Sequence, residues 1–163
     1  MNHSTKRVIL LLTLCITGLL FSCSSYKNSE QGVATYDSIK ANAYGADDYG
    51  MKKYVMAFLK RGPNRVNDSI EVARLQKFHL ENIERLANEG KLVLAGPFLD
   101  NNDLRGIYIF NVSTVEEAKK LTESDPMIQS GHLIMELKPW YGSAAIMEVG
   151  ALHKTLQKKH ITD

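Results

Sequence analysis

One histidine of this chain occupies a position from which its side chain could exchange protons. His79 follows Leu75 by four residues and precedes Ile83 by four, so it lies on the apolar stripe of a predicted helix and faces the interior. An imidazole that a polar neighbour orients can act as a general acid or base near neutral pH. The alternative is a structural histidine, which is either buried against a backbone carbonyl or reaches water at the edge of the stripe.

Asp125 is the candidate for the group that orients this histidine. It precedes Pro126 in a pattern typical of a helix N-cap, and capping alone would explain it. In a fold where the chain leaving the second helix passes near the first, its carboxylate could also accept a hydrogen bond from one nitrogen of His79. The other ring nitrogen would then be left for a substrate.

Arg105 could bind an anionic group of such a substrate, because it begins a predicted strand next to a turn. A surface pair with Asp100 or Asp103 is an equal alternative. No cofactor or metal site is predicted, since the histidines do not have the spacing of metal ligands.

The chain between residues 51 and 142 has the periodicity of four strands and two helices. In order, they are a strand at 53–60, a helix between Asp68 and Gly90, strands at 92–95 and 106–112, a helix from Thr114 to about Glu123, and a strand at 133–139. Turn-forming residues at 99–103 make the two middle strands a hairpin. This β-α-β-β-α-β order is typical of an α+β, ferredoxin-like domain with both helices on one face of an antiparallel sheet.

The central strands are apolar on both sides, as the runs at 54–59 and 107–110 show. An antiparallel sheet with one face in water would alternate apolar and polar residues, and two helices cover one face only. We therefore expect the second face to pack against the sheet of an identical subunit, which gives a homodimer.

The first 22 residues are predicted to be an export signal. Lys6 and Arg7 precede an apolar run at 8–21 that is too short to cross a bilayer comfortably, and Ser22 precedes Cys23. This ending resembles the lipobox of bacterial lipoproteins, in which the cysteine thiol receives a lipid before cleavage. The alternatives are an ordinary secretory signal with a chance cysteine, or a permanent N-terminal anchor.

A lipidated Cys23 would place the protein in the cell envelope, on the periplasmic or surface side of a membrane. Because Ser24 follows instead of an aspartate, the outer membrane is the expected one. Residues 23–50 are rich in small and polar side chains and are predicted to be a flexible tether. Residues 143–163 form a C-terminal extension with a possible short helix, which could pack on the domain or remain mobile.

Cleavage at Cys23 also limits the possible chemistry. It removes Lys6 and Arg7 from the 20 basic residues, which leaves 18 against 18 acidic ones, and it removes Cys15 as well. A neutral chain without a basic cluster is not expected to bind nucleic acid. Without a thiol in the mature chain, cysteine nucleophiles and disulfides are excluded too.

An ordered set of short motifs resembles the YciI-like (YCII-related) domain family. The motifs are LQKFHL at 75–80, GKLVLAGPF at 90–98, LRGI at 104–107, EEA at 116–118, DP at 125–126 and PWYG at 139–142. The resemblance implies a dimeric α/β barrel and a histidine–aspartate active site, which falls on His79 and Asp125. Gln76, one helical turn from His79, could line the same pocket.

Two functions are compatible with these residues. A few members of the family act on chlorinated aromatic or quinol-like compounds, and the wider fold includes muconolactone isomerases and cofactor-free monooxygenases. The resemblance therefore implies an enzyme that acts on a small molecule by isomerisation, elimination or hydrolysis, with His79 moving a proton and Asp125 fixing its tautomer. The alternative is a non-catalytic envelope protein whose dimeric barrel binds a small ligand or a partner.

Overall fold

The computed structural model describes residues 35–64 and 68–161. The predicted export signal at 1–22, Cys23 and the first part of the predicted tether lie outside these residues. A compact unit begins at Asp37 and holds every helix and strand given below. Within the described ranges, no helix has the length and apolar character needed to span a bilayer.

The unit is built from four strands and a set of helices of very different lengths. The elements are α1 (Ser38–Tyr44), β1 (Met51–Arg61), α2 (Ser69–Asn88), β2 (Leu92–Pro97), β3 (Leu104–Phe110), α3 (Val115–Thr122), α4 (Pro126–Gln129), β4 (Leu133–Ser143), a 3₁₀ turn (Ala144–Glu148) and α5 (Val149–Leu156). The strands form one sheet in the order β2-β3-β1-β4, and every neighbouring pair is antiparallel. The predicted α+β class and the β-α-β-β-α-β order are confirmed.

The helices α2 and α3 each begin directly after a capping residue. The Asp68 side chain accepts a hydrogen bond from the Ile70 amide at 2.9 Å, and Gly90, with a φ of 67°, follows the end of α2. Asp68 forms no capping box with Glu71, whose carboxylate binds Arg74. At α3 a capping box is present in full, with Thr114 and Glu117 satisfying each other's backbone amides.

The core lies between the helices and one face of the sheet. Val55, Ala57 and Leu59 of β1 share this face with Tyr108 and Phe110 of β3, and all five are buried. Leu86 of α2 and Ala118 of α3 pack against these five side chains from the helix side of the sheet. Leu86 lies on the same buried stripe of α2 as Leu75 and His79, so this stripe faces the core.

The opposite face of the sheet carries partly covered apolar side chains beside charged ones, since Glu136 and Lys138 pair in register with Phe58 and Met56. We call the patch formed by Met56, Phe58, Ile107 and Ile134 the open face; Ile134 is 47% exposed and the other three are half-buried. Tyr54, on the same face, is buried, with its ring centroid 5.7 Å from that of Trp140. The chain itself therefore covers one end of this face and leaves the rest accessible.

The segment predicted as a flexible tether, residues 23–50, is helical in its last part, so this part of the prediction is wrong. Asp37 caps α1, Tyr44 donates its hydroxyl hydrogen to Glu148, and Lys40 pairs with Glu148 at 2.8 Å. A seven-residue helix without an apolar stripe gives no periodic signal. Its contacts with the C-terminal extension hold it in place.

The C-terminal extension packs on the domain. Its 3₁₀ turn contacts β1, and α5 contacts β2. Lys154 Nζ lies 3.4 Å from Asn88 Oδ1, and His160 Nε2 lies 3.4 Å from Glu84 Oε1, so the end of the chain follows α2 back toward its middle.

A close backbone approach fixes the turn that follows α4. The Gly62 amide donates to the His132 carbonyl at 2.9 Å, and the Asn64 amide donates to the Gly131 carbonyl at 3.1 Å. A Cβ atom on Gly62 would lie 2.0 Å from the Gly131 oxygen. Glycine is therefore required at this position, and the contact holds α4 and its N-cap, Asp125, beside the end of β1.

Replacing Gly62 with alanine should destabilise the fold, because the backbone must shift to admit the methyl group. We expect the free energy of unfolding to fall by about 1–3 kcal/mol, measured by chemical denaturation. Gly150→Ala is the matched control, since a Cβ there meets no atom within 4 Å and alanine favours the helix by up to about 1 kcal/mol. Equal stabilities of the two variants would contradict this role of Gly62.

Candidate active site

His79 lies on the inner side of α2 and is 8% exposed, as its place on the apolar stripe predicts. Its Nδ1 atom is 2.8 Å from Oδ2 and 3.0 Å from Oδ1 of Asp125. The structure thus brings together the two residues that the sequence singled out, although 46 positions separate them.

Asp125 is 1% exposed and has both of the predicted roles at once. As the N-cap of α4, it accepts a hydrogen bond from the Met127 amide at 2.9 Å, with Pro126 in the first helical position. The same carboxylate faces His79 Nδ1. Because a carboxylate only accepts hydrogen bonds, this partner fixes the proton of a neutral His79 on Nδ1 and leaves the lone pair on Nε2.

A polar network ties α2 to the segment that carries Asp125. Asn82 Oδ1 accepts hydrogen bonds from Arg85 at 2.8 Å and from the Ser124 hydroxyl at 3.1 Å. The Ser124 hydroxyl also lies 3.1 Å from the Arg85 guanidinium. Asn82 is one turn after His79 and Ser124 directly precedes Asp125, so this network fixes the spacing of the two site residues.

Tyr108 is a site residue that the sequence analysis missed. Its hydroxyl lies 3.3 Å from His79 Nε2, the two rings stack with centroids 6.2 Å apart, and the side chain is 3% exposed. The expectation that Nε2 is left entirely to a substrate is therefore wrong: Tyr108 faces it at the long end of hydrogen-bonding distance.

Burial raises the pKa of Tyr108 well above its ordinary value, and the negative charge of Asp125 raises it further. The phenol therefore stays protonated at neutral pH and can donate to Nε2. Strand alternation predicted only that Tyr108 lies on one side of β3. No local pattern distinguishes a core tyrosine from one that touches a histidine on another element.

A cavity of about 550 Å³ opens beside this pair, between α2 and the sheet. Its polar lining consists of Arg61, Gln76, His79, Arg105, Tyr108 and His132. Apolar side chains that include Val72, Leu80 and Ile83 complete the wall, and Ile161 of the C-terminal extension lies at it too. Gln76 and Arg105 thus line the same cavity as His79, and the cavity has a size typical of small-molecule sites.

Arg105 does not pair with the carboxylate of Asp100 or Asp103, which was the alternative for it. Its Nη1 atom donates to the main-chain carbonyls of Asp100 at 2.9 Å and Asn102 at 3.3 Å.

Arg61, which the sequence analysis did not single out, also binds this loop. Its Nη2 atom donates to the Asn101 carbonyl at 2.9 Å, and its Nε atom donates to the Asn102 carbonyl at 3.3 Å. The signal for Arg61, a charged residue at the end of a strand, is too common to have identified it.

No cluster of three or more metal-binding side chains occurs among residues 35–64 and 68–161. Within the same ranges, the groups placed for chemistry are the imidazole of His79, the phenol of Tyr108 and the carboxylate of Asp125. Such groups can take up a proton, donate one, or hold an oxygen by a hydrogen bond.

Parts of the chain are similar to known proteins. The YCII-related domain matches residues 53–141. The protein YjpA of Bacillus subtilis strain 168 is 34% identical over 62 residues, which are 38% of this chain and 71% of that protein. Among solved structures, 5-chloro-2-hydroxyhydroquinone dehydrochlorinase (TftG) from Burkholderia phenoliruptrix AC1100, in complex with 2,5-dihydroxybenzoquinone, is 20% identical. The match has a TM-score of 0.40 and covers 53% of this chain and 92% of that one.

The domain match covers β2, β3, α2 and α3 in full and all but the outermost residues of β1 and β4, and it includes His79 and Asp125. It confirms the resemblance seen in the short motifs. This chain belongs to the YCII-related domain family.

Proposed function

We propose that the protein is an enzyme that uses His79 and Asp125 for acid–base chemistry on a small molecule bound between α2 and the sheet. The observation that carries this proposal is the 2.8 Å contact of His79 Nδ1 with a carboxylate that is 1% exposed, while His79 itself lines a cavity. Asp125 directs the basic nitrogen of His79 away from itself. It also compensates the positive charge that forms when His79 takes up a proton.

The proposed proton path runs through Nε2. A substrate in the cavity gives a proton from carbon, or from a bound water, to Nε2 of His79. Tyr108, whose phenol stays protonated, releases Nε2 at this point and donates its hydrogen bond to a substrate oxygen where negative charge develops. Isomerisation, elimination and hydrolysis all begin with such a proton transfer, so the three classes share the same residues.

One observation favours the alternative, a non-catalytic ligand-binding role. In the structure Nε2 already has a partner in Tyr108, and a histidine held at both nitrogens can be purely structural. The 3.3 Å length of the Tyr108 contact indicates a weak bond that a ligand could displace. The two roles differ in whether His79 is needed for turnover or only for binding.

Loss of either member of the pair should strongly impair proton transfer. The assay follows exchange of allylic hydrogens with solvent, by proton NMR in D₂O, for a panel of small β,γ-unsaturated lactones and cyclic enones. We expect His79→Ala and Asp125→Asn to slow exchange by about 10²–10⁴-fold. Asparagine still caps a helix, so Asp125→Asn can keep the bond from the Met127 amide to Oδ1. It removes the charge and places an amide where the carboxylate oxygen faces His79 Nδ1.

His153→Ala is the control, because His153 is exposed on α5 and does not line the cavity. It should exchange at the wild-type rate. If the wild-type protein exchanges no member of the panel, or if His79→Ala retains its rate, the catalytic proposal fails and the binding role stands in its place.

We also propose that the protein is a homodimer joined through the open face. Met56, Phe58 and Ile107 are half-buried there and Ile134 is 47% exposed, and a second copy would cover these apolar side chains. The Glu136–Lys138 ion pair on the same face keeps these two charges paired beside the patch. Ile134→Lys should lower the mass measured by light scattering to that of one chain. Leu99→Lys, at a fully exposed loop position, should leave the dimer unchanged. A wild-type protein with the mass of one chain would refute the dimer.

Anchoring in the cell envelope through a lipid on Cys23 remains a proposal supported by the sequence pattern alone. Replacing Cys23 with serine removes the thiol that would be lipidated. In fractionated bacterial cells that express the full chain, the wild type should sediment with membranes and Cys23→Ser should not. A serine variant that stays with the membranes would contradict lipid anchoring at this residue.

A further inference from the structure

We propose that Arg61 and Arg105 together form a carboxylate-binding site in the His79 cavity, so that the ligand is a small apolar acid. The proposal deepens the proposed function and rests on it only for the statement that the bound acid is turned over. The two arginines come from different strands, β1 and β3, and both line the cavity.

The two guanidinium groups lie side by side because they share an acceptor. Arg61 Nε and Arg105 Nη1 are each 3.3 Å from the Asn102 carbonyl oxygen. Further bonds to the carbonyls of Asn101 and Asp100 hold each group in one orientation. The β2–β3 loop thus positions two cations through main-chain oxygens and, for Arg61, the side-chain oxygen of Asn101, without neutralising either charge.

Neither arginine forms a salt bridge within the part of the chain that the structure describes. The carboxylate of Asp100, in the same loop, accepts from the Asn102 side-chain amide at 2.9 Å and from its backbone amide at 3.3 Å. In the same part of the chain, no hydrogen bond uses Nη1 of Arg61 or Nη2 of Arg105. Two adjacent positive charges with unused donors are the arrangement that a planar carboxylate satisfies best.

The rest of the cavity indicates what the carboxylate is attached to. Val72, Leu80 and Ile83 give it an apolar wall, and its lining contains no aspartate or glutamate. A volume of about 550 Å³ admits a single ring with short substituents. With the acid group on the two arginines, the body of such a molecule lies against the apolar wall, and the same cavity also gives access to His79 and Tyr108.

The test compares benzoate with benzamide, which has nearly the same shape but no charge. Binding is measured by NMR titration of the full mature protein, so no turnover is needed. We expect benzoate to bind the wild type with a dissociation constant in the millimolar range or below. Arg61→Gln and Arg105→Gln should each raise the dissociation constant of benzoate about tenfold or more, since a charge-assisted bond is lost. Benzamide should bind more weakly than benzoate to the wild type and equally to all variants.

Arg74→Gln is the matched control, because Arg74 is an exposed arginine of α2 that pairs with Glu71 outside the cavity. It should bind benzoate as the wild type does. Equal affinity for benzoate and benzamide, no saturable benzoate binding at millimolar concentration, or indifference to both cavity substitutions would each overturn the carboxylate site. Arginine-dependent binding without any proton exchange would leave this site intact and refute only the enzymatic role.

Discussion

The hydrogen bond between His79 and Asp125 is the constraint on which the rest of the site depends. It places a carboxylate that is 1% exposed against an imidazole that is 8% exposed, inside a domain of one sheet and two long helices. Burying an ionisable group is costly unless a partner satisfies it. Asp125 meets this requirement twice, with the ring nitrogen of His79 and with the Met127 amide at the start of α4. The same carboxylate therefore caps α4 and orients the imidazole of His79.

Several separate contacts serve to keep this pair in place. The Asn82–Ser124–Arg85 network holds α2 against the chain that leads into Asp125. The approach of Gly62 to Gly131 fixes the other side of α4. On the sheet side, the Tyr108 hydroxyl lies beside Nε2 of His79. The basic nitrogen therefore has a defined direction and a proton donor next to it. A site held from three sides needs little rearrangement when a ligand enters, which is what acid–base catalysis requires of its groups.

Much of this arrangement could be predicted from the sequence, because the signals are local. The apolar stripe puts His79 on the inner side of α2, and Asp-Pro at 125–126 predicts an N-cap where one is found. The features that were missed depend on contacts between distant elements. Tyr108 alternates along β3 like any core residue, and only the packing of α2 over that strand shows that it touches the imidazole. The segment that forms α1 was expected to be part of a flexible tether. The contacts that stabilise this helix are with Glu148, about a hundred residues further along the chain, and no local pattern indicates them.

The tautomer of His79 tests the account most directly, since the whole proposal rests on a proton that Asp125 holds on Nδ1. Nitrogen-15 NMR of the imidazole distinguishes the two neutral forms. The structure predicts the Nδ1–H form for the neutral ring, together with a strongly downfield Nδ1 proton that is lost in Asp125→Asn. A neutral His79 that carries its proton on Nε2, or an Nδ1 proton that Asp125→Asn leaves unchanged, would contradict it.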